Sequence, residues 1–328
     1  MTAASMRRAT RRSRPPGGRK GRRSGFTIVE LVVTVAILGI VASLVLPAIQ
    51  SARAASRRLT CANNLKQLAL AATYYEAVHG QFVCRDINSA RHLSISLTPA
   101  YLDLLRWGGY REGTGSPLDV CPSDELATAS EGFVNYVASD GVAATSVVDA
   151  RARGVWTQVG IRYVGPARPA GASDVSDGLS QTALLSERLV HGRYPVEPGW
   201  AGDAPERSFH QTNAVDSPAV PTAETLRREC LSLAAGITSE GGLPPDNRGG
   251  NPTARFDHLM PPNGLSCLRG RDGQRLFGVR NFTASSRHPG GVNVATLDGA
   301  VSFVADGVSQ PVWWSLGTIA GLDPGSQW

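Results

Sequence analysis

No GxSxG elbow, no HExxH pair and no glycine-rich phosphate loop occurs anywhere in the chain, so the local signatures of serine hydrolases, zinc proteases and nucleotide-binding enzymes are all missing. An enzyme is therefore not expected. Cysteine is sparse: Cys61, Cys84, Cys121, Cys230 and Cys267 are spread along 328 residues with no CxxC pair and no Cys/His cluster at zinc-ligand spacing. Metal binding through sulfur is therefore not expected. In an oxidising compartment five cysteines allow at most two bridges and one thiol, and the sequence leaves their pairing open. Cys230 with Cys267 is the favoured pair, because a crosslink there would stabilise a loop-rich stretch. Acidic residues are absent from the first 25 positions, which hold nine Lys or Arg. The formal charge of +6 therefore belongs to this leader, and the remainder carries 24 basic against 27 acidic residues, a net −3. No nucleic-acid partner is expected.

What the chain does have is a long apolar run, SGFTIVELVVTVAILGIVASLVLPAIQ, beginning at Ser24. Residues 26–49 as a helix reach roughly 36 Å at about 1.5 Å per residue, enough for a bilayer core of about 30 Å. The basic flank before the run predicts an N-terminus in the cytoplasm and a C-terminal part outside. No Cys follows the run closely enough to take a lipid, and the apolar stretch continues into a polar helical pattern instead of a small-residue cleavage site. A lipoprotein or an ordinary secretory signal is excluded on those grounds. Glu30 is the one charge within the run, where an ionisable group costs roughly 2.5–3.5 kcal/mol at the helix centre and calls for a partner. Snorkelling to the headgroups from near the helix end is the bland alternative for its carboxylate.

The junction Gly25-Phe26, with Glu30 fifth from Phe26, resembles the class III signal of type IV prepilins and pseudopilins. The resemblance implies cleavage between Gly25 and Phe26 by a prepilin peptidase, which also methylates the new N-terminus of Phe26. The amine so created is the partner that Glu30 lacks: in a filament, Glu30 of one subunit would neutralise the amine of the next.

Beyond the run, SARAASRRLTCANNLKQLALAATYYEAVHG places Leu65, Leu68, Ala69, Ala72 and Tyr75 at helical spacing. One helix is predicted from about residue 26 to 78, stopped by Gly80, with the apolar face of its second half laid on a sheet. From residue 81 short apolar runs alternate with Gly, Pro, Asp and Ser, as in an α+β domain dominated by antiparallel strands and loops. Candidate strands cover 133–138, 154–164 and 182–186. Residues 194–263 read as an elaborated loop region with a short helix near 223–235. The expected organisation is thus a removed leader at 1–25, a transmembrane and assembly helix at 26–49, its amphipathic continuation at 50–80, and a pilin-like α+β domain at 81–328 in the periplasm or outside.

Near the C-terminus, SRHPGGVNVATLDGAVSFVADG sets two alternating segments around Asp298-Gly299, a strong hairpin signal, and predicts a hairpin over 291–304. His288, nine residues, then Asp298 and Gly299 resemble the C-terminal signature of a large bacterial family of unknown function whose members begin with a prepilin-like segment. CANNLKQLALAATYY, CPSDE, VSDGLSQTALLSERL ending at Glu187, MPPNGLSC and VWWSLGTIAGLD are similar to that family's other elements. An extended strand of about 3.3 Å per residue puts His288 and Asp298 roughly 20 Å apart, so a shared catalytic or metal site is not expected of them. Asp298 is read as setting the turn and His288 as fixing strand entry beside Pro289 and Gly290.

Asp174, Asp177 and Glu187, with the backbone of Ser176-Asp177-Gly178, offer oxygen ligands of the kind Ca²⁺ takes, and some pseudopilins bind calcium in such loops. Their spacing is not that of an EF-hand, and the competing reading is ordinary turn chemistry. Calcium is the one cofactor considered. The expected function is a structural, membrane-anchored subunit of a type II secretion or type IV pilus-like assembly, with the prepilin peptidase and other pilin-like subunits as partners. The rival is a membrane-tethered binding module that never polymerises, and a third reading, an anchored enzyme, lacks any sequence support.

Overall fold

The computed structural model describes residues 25, 27–82, 117–125, 127, 134–142, 154–155, 170–190, 209–212, 223–232, 255–269 and 280–320. Residues 1–24 of the leader, Phe26, Cys84 and most of the candidate strand at 154–164 lie outside them.

One helix, α1, covers Ile28–His79. Thr27 starts it: its hydroxyl accepts the Glu30 N–H at 3.3 Å, the first half of a capping box spelled Thr-Ile-Val-Glu. Glu30 lies in the first turn, where a carboxylate also suits the positive end of the helix dipole. Pro47 falls inside the helix and leaves the Ser43 carbonyl without its i+4 donor. Gly80, at φ +68°, ends it, a left-handed conformation that costs glycine little.

The chain divides into two compact units, Met1–Ser51 and Ala52–Trp328. In the first, the described large apolar side chains from Ile28 to Ile49 are exposed. Among the described residues α1 alone is long and apolar enough to cross a membrane.

In the second unit, Cys61, Asn64, Leu65, Leu68, Ala69 and Ala72 of α1 are buried, the spacing of a single helical face. All but Asn64 pack into a core with Tyr136, Ala138, Leu184, Leu185 and Ala295 of the main sheet and with Leu297 just beyond it. Its strands are β1 (Tyr136–Ser139), β2 (Ala183–Glu187), β4 (Arg255–Phe256), β7 (Gly291–Thr296) and β8 (Val301–Ala305), in the order β4-β1-β2-β7-β8. The β1-β2, β2-β7 and β7-β8 pairs are antiparallel, in line with a domain dominated by antiparallel strands, and β4 pairs parallel with β1.

Alternation along the strands sorts side chains between two cores. Val137, Val292 and Val294 face the other way from Ala138 and Ala295, into a second cluster with Phe256 and Trp313. Trp313 belongs to a short C-terminal helix, Gln310–Leu316, and its indole N–H donates to the Met260 carbonyl at 2.7 Å. The central strands are thus buried on both faces, while β8 lies at the edge, partly exposed.

The stretch read as loop contains regular structure of its own. A helix, α2 (Ala223–Ser232), agrees with the expected short helix. Strand β3 (Phe209–Thr212) joins β5 (Ser266–Arg269) and β6 (Arg280–Asn281) in a second sheet, ordered β3-β5-β6. Short, widely separated strands of this kind have too little alternation to be seen in sequence.

The C-terminal hairpin pairs Gly291–Thr296 with Val301–Ala305, beginning where expected and ending one residue later. Asp298 makes the turn: its Oδ1 accepts from the Ala300 N–H at 3.0 Å and from the Thr296 hydroxyl. Those two bonds, the Thr296 one first, hold its carboxyl below the usual range. Gly299 follows at φ +80°. Helix α1 grips this turn through Lys66, whose Nζ donates to the Gly299 carbonyl at 3.2 Å, and through the Arg58 guanidinium, 3.5 Å from the centre of the Phe303 ring.

Candidate functional site

Beneath α1 the ends of several strands converge on a buried polar cluster. Its centre is Glu187, the last residue of β2 and 1% exposed. One carboxylate oxygen, Oε2, accepts the Asn293 backbone N–H at 2.9 Å. The other, Oε1, accepts the Asn293 side-chain amide at 3.0 Å and lies 3.2 Å from His288 Nε2. The same imidazole nitrogen is 3.6 Å from Cys121 Sγ. Cys121 is bonded to Cys61 of α1, a disulfide closing a separation of 60 residues. Chain-entropy arguments give such a bridge roughly 2–4 kcal/mol of stabilisation.

The loop that carries Cys121 is fixed by Asn135, which is 1% exposed. Its Oδ1 accepts the Cys121 N–H at 2.9 Å, and its Nδ2 donates to Asp124 Oδ2 at 2.7 Å and to the Arg188 carbonyl at 3.0 Å. Asp124 Oδ2 also accepts the Val190 N–H at 2.8 Å. His288 is presented from the other side by Ser286, whose hydroxyl accepts the His288 N–H at 3.1 Å and donates to the Gly291 carbonyl at 2.7 Å.

Arg188 follows Glu187 and is fully buried. Its Nη1 donates to the Arg255 carbonyl at 2.7 Å, and its guanidinium lies 4.9 Å from the Phe282 ring centre. Burial first and the Arg255 charge second lower its pKa to about 9, against an opposing pull from Asp257. Arg255 itself is paired with Asp140.

The segments CPSD, ending at Asp124, SERL, containing Glu187, and SRHPGG, containing His288, thus form one cluster, joined by Cys61 from α1. His288 does stand at the entry to β7, as its sequence position implies, but it also reaches Glu187 and Cys121. Asp298 is in the turn at the far end of β7 and takes no part. The sequence gives no sign of Asn135 or Asn293, neutral residues whose role appears only when the strands pair. Four potential metal ligands, Cys61, Cys121, Glu187 and His288, have donor atoms within 4.8 Å of one another, and all four residues are buried. They stand far apart in the chain, which is why ligand spacing does not reveal them.

Asp174 and Asp177 are not part of that cluster. Asp174 Oδ2 accepts the Gly171 N–H at 2.8 Å, a local turn contact, whereas Asp177 Oδ2 accepts from the distant Thr318 hydroxyl at 2.8 Å. Cys230 is bonded to Cys267, linking α2 to β5. Gly25 and Glu30 are exposed in the first unit.

The model of a family described as a protein of unknown function (DUF1559) matches residues 50–91 and 108–310, well over half of the chain. The chain belongs to this family. A second model, described as the prokaryotic N-terminal methylation motif, matches residues 20–46. No curated protein and no solved structure matches. The methylation motif, together with α1, makes this a prepilin-like protein of the pilin or pseudopilin kind, anchored in a membrane and subject to processing by a prepilin peptidase.

Proposed function

We propose that this protein is a non-catalytic structural subunit of a type II secretion or type IV pilus-like assembly, cut between Gly25 and Phe26 and polymerised through the first half of α1. Single-pass insertion in the bacterial inner membrane, with the N-terminus in the cytoplasm and the C-terminal domain periplasmic or extracellular, follows from the nine basic residues ahead of the apolar run. The observation that carries the reading is the contrast within α1: Ile28 to Ile49 exposes every large apolar side chain, and its one charge is Glu30. An apolar surface of that extent belongs in lipid or against other copies of itself. Glu30 has a local use at the helix start, and the ammonium released by cleavage of a neighbouring subunit gives its carboxylate a second.

The test is to express the full chain in a bacterial membrane with and without a prepilin peptidase and to determine the N-terminal residue and intact mass. A methylated Phe26 terminus is expected, followed by inter-subunit crosslinks that Glu30→Ala abolishes while membrane insertion survives. Retention of residues 1–25 beside a control prepilin that is cut, or crosslinking indifferent to Glu30→Ala, would favour a permanently tethered binding module.

A further inference from the structure

A disulfide needs only its two sulfurs. The Cys61–Cys121 pair instead lies against a carboxylate and an imidazole that have been carried into the interior, at a desolvation cost of several kcal/mol for each group that is charged. Two thiolates, one imidazole and one carboxylate are a donor set that zinc accepts. With bonds of about 2.3 Å to sulfur and about 2.0–2.2 Å to nitrogen or oxygen, tetrahedral geometry needs the donor atoms roughly 3.3–3.8 Å apart. His288 Nε2 is already 3.2 Å from Glu187 Oε1 and 3.6 Å from Cys121 Sγ, and all four donors lie within 4.8 Å.

We propose that, when the Cys61–Cys121 disulfide is reduced, Cys61, Cys121, Glu187 and His288 form a closed structural site for a zinc-class divalent cation. Disulfide and metal are then alternative staples between α1 and the strands beneath it. The supporting shell is in place: Asn293 holds Glu187 through both its backbone N–H and its side-chain amide, which aims the carboxylate as outer partners aim metal ligands elsewhere. Asn135 fixes the Cys121 backbone in the same way.

The chemistry balances with a phosphine as reductant. The S–S bond breaks, the phosphine takes oxygen from water and leaves as its oxide, and two thiols remain. Each thiol gives up its proton to solvent as the cation binds. His288 binds as the neutral imidazole: the proton by which Nε2 contacts Glu187 Oε1 leaves to solvent, Nδ1 carries the one that remains or is regained there, and Nε2 presents its lone pair.

The experiment uses the full-length chain in detergent micelles, without oxygen, with Co²⁺ as the optical probe and Zn²⁺ as competitor. The phosphine-reduced chain should develop thiolate-to-cobalt and tetrahedral d–d absorption that saturates at about one ion per chain and is bleached by Zn²⁺. The oxidised chain should show neither band. Cys61→Ser/Cys121→Ser should remove the thiolate signature of this site, and the Cys230→Ser/Cys267→Ser variant should keep it. Asn293→Ala should weaken binding roughly 10–100-fold. A reduced chain that keeps its circular dichroism yet gives no band overturns the proposal, as does a band that survives Cys61→Ser/Cys121→Ser. Should reduction unfold the chain, stoichiometric Zn²⁺ is expected to restore the fold, and failure to restore it overturns the proposal equally.

Discussion

The two halves of α1 share a conformation and little else. In Ile28 to Ile49 the large apolar side chains are exposed all round the helix. After Ala52 one face is buried, at Cys61, Leu65, Leu68, Ala69 and Ala72, and the remainder carries Arg57, Arg58 and Lys66. Backbone hydrogen bonds are satisfied within a helix whatever surrounds it, so the same secondary structure serves hydrocarbon and water, and the side chains record which solvent each half was built for.

The contrast is broken most severely by truncating matched leucines. Leu65→Ala opens a void in a core shared by helix and sheet and should cost roughly 2–5 kcal/mol of unfolding free energy. Leu38→Ala, at a side chain 67% exposed, should leave that unfolding unchanged within about 0.5 kcal/mol. Denaturant titration of both full-length variants in micelles, followed by tryptophan fluorescence, reads the difference, since the described tryptophans Trp313 and Trp314 lie in the second unit. Equal effects at the two positions would mean that the halves are not distinct.

Acid should likewise act on the second unit alone among the described groups with a large downward shift. His258 is wholly buried, its ring tilted against Trp313 with centroids 4.3 Å apart and Nδ1 donating to the Gly141 carbonyl at 3.1 Å. Burial lowers its pKa from 6.5 to about 3, only partly opposed by that hydrogen bond. A folded-state value below the unfolded one means that the unfolded chain takes up the proton first. The neutral imidazole's contribution is therefore complete above pH 6.5 and is lost as pH falls toward about 3, at about 1.4 kcal/mol per pH unit. Asp257, whose carboxyl burial pushes upward, acts with the opposite sign, so the measurement is a difference. His258→Asn keeps a donor for Gly141 and removes the titration. Its unfolding free energy should vary less steeply with pH than that of the wild type between pH 6.5 and 4, a window set by the lowered His258 value.

The helix and the methylation motif of the first half of α1 were legible in sequence because both are local, carried by an apolar run and a junction that lie within 25 residues. The local capping role of Thr27 for Glu30 was equally legible, as Thr-x-x-Glu, but the membrane setting drew the reading to the carboxylate's charge instead. The α+β class, the α1 face and the Asp298-Gly299 turn were also local patterns of period or turn chemistry. The cluster around Glu187 was not, because Cys61, Cys121, Glu187 and His288 meet only through the β1-β2 and β2-β7 pairings. For the same reason a Cys230–Cys267 bridge could be favoured from loop content, whereas Cys61–Cys121 joins a helix to a distant loop and left no mark in composition.

The finest test of the contrast compares two glycines. Gly299 has φ +80°, and a Cβ there would lie 3.1 Å from Leu70 Cδ2 of α1. Leu70 is half-exposed and can turn aside, so most of the penalty for Gly299→Ala is the left-handed backbone, roughly 1–2 kcal/mol. Gly39, in the first half of α1, has nothing within 4 Å of its would-be Cβ and an ordinary helical φ. Gly39→Ala should leave the unfolding of the second unit untouched, because whatever helix propensity it adds is added to a segment that the unfolding of that unit does not involve. A lower denaturant midpoint for Gly299→Ala with unchanged slope, beside an unshifted midpoint for Gly39→Ala, would show that stability resides in the globular unit, and a shift at Gly39 would show that the apolar half contributes to it directly.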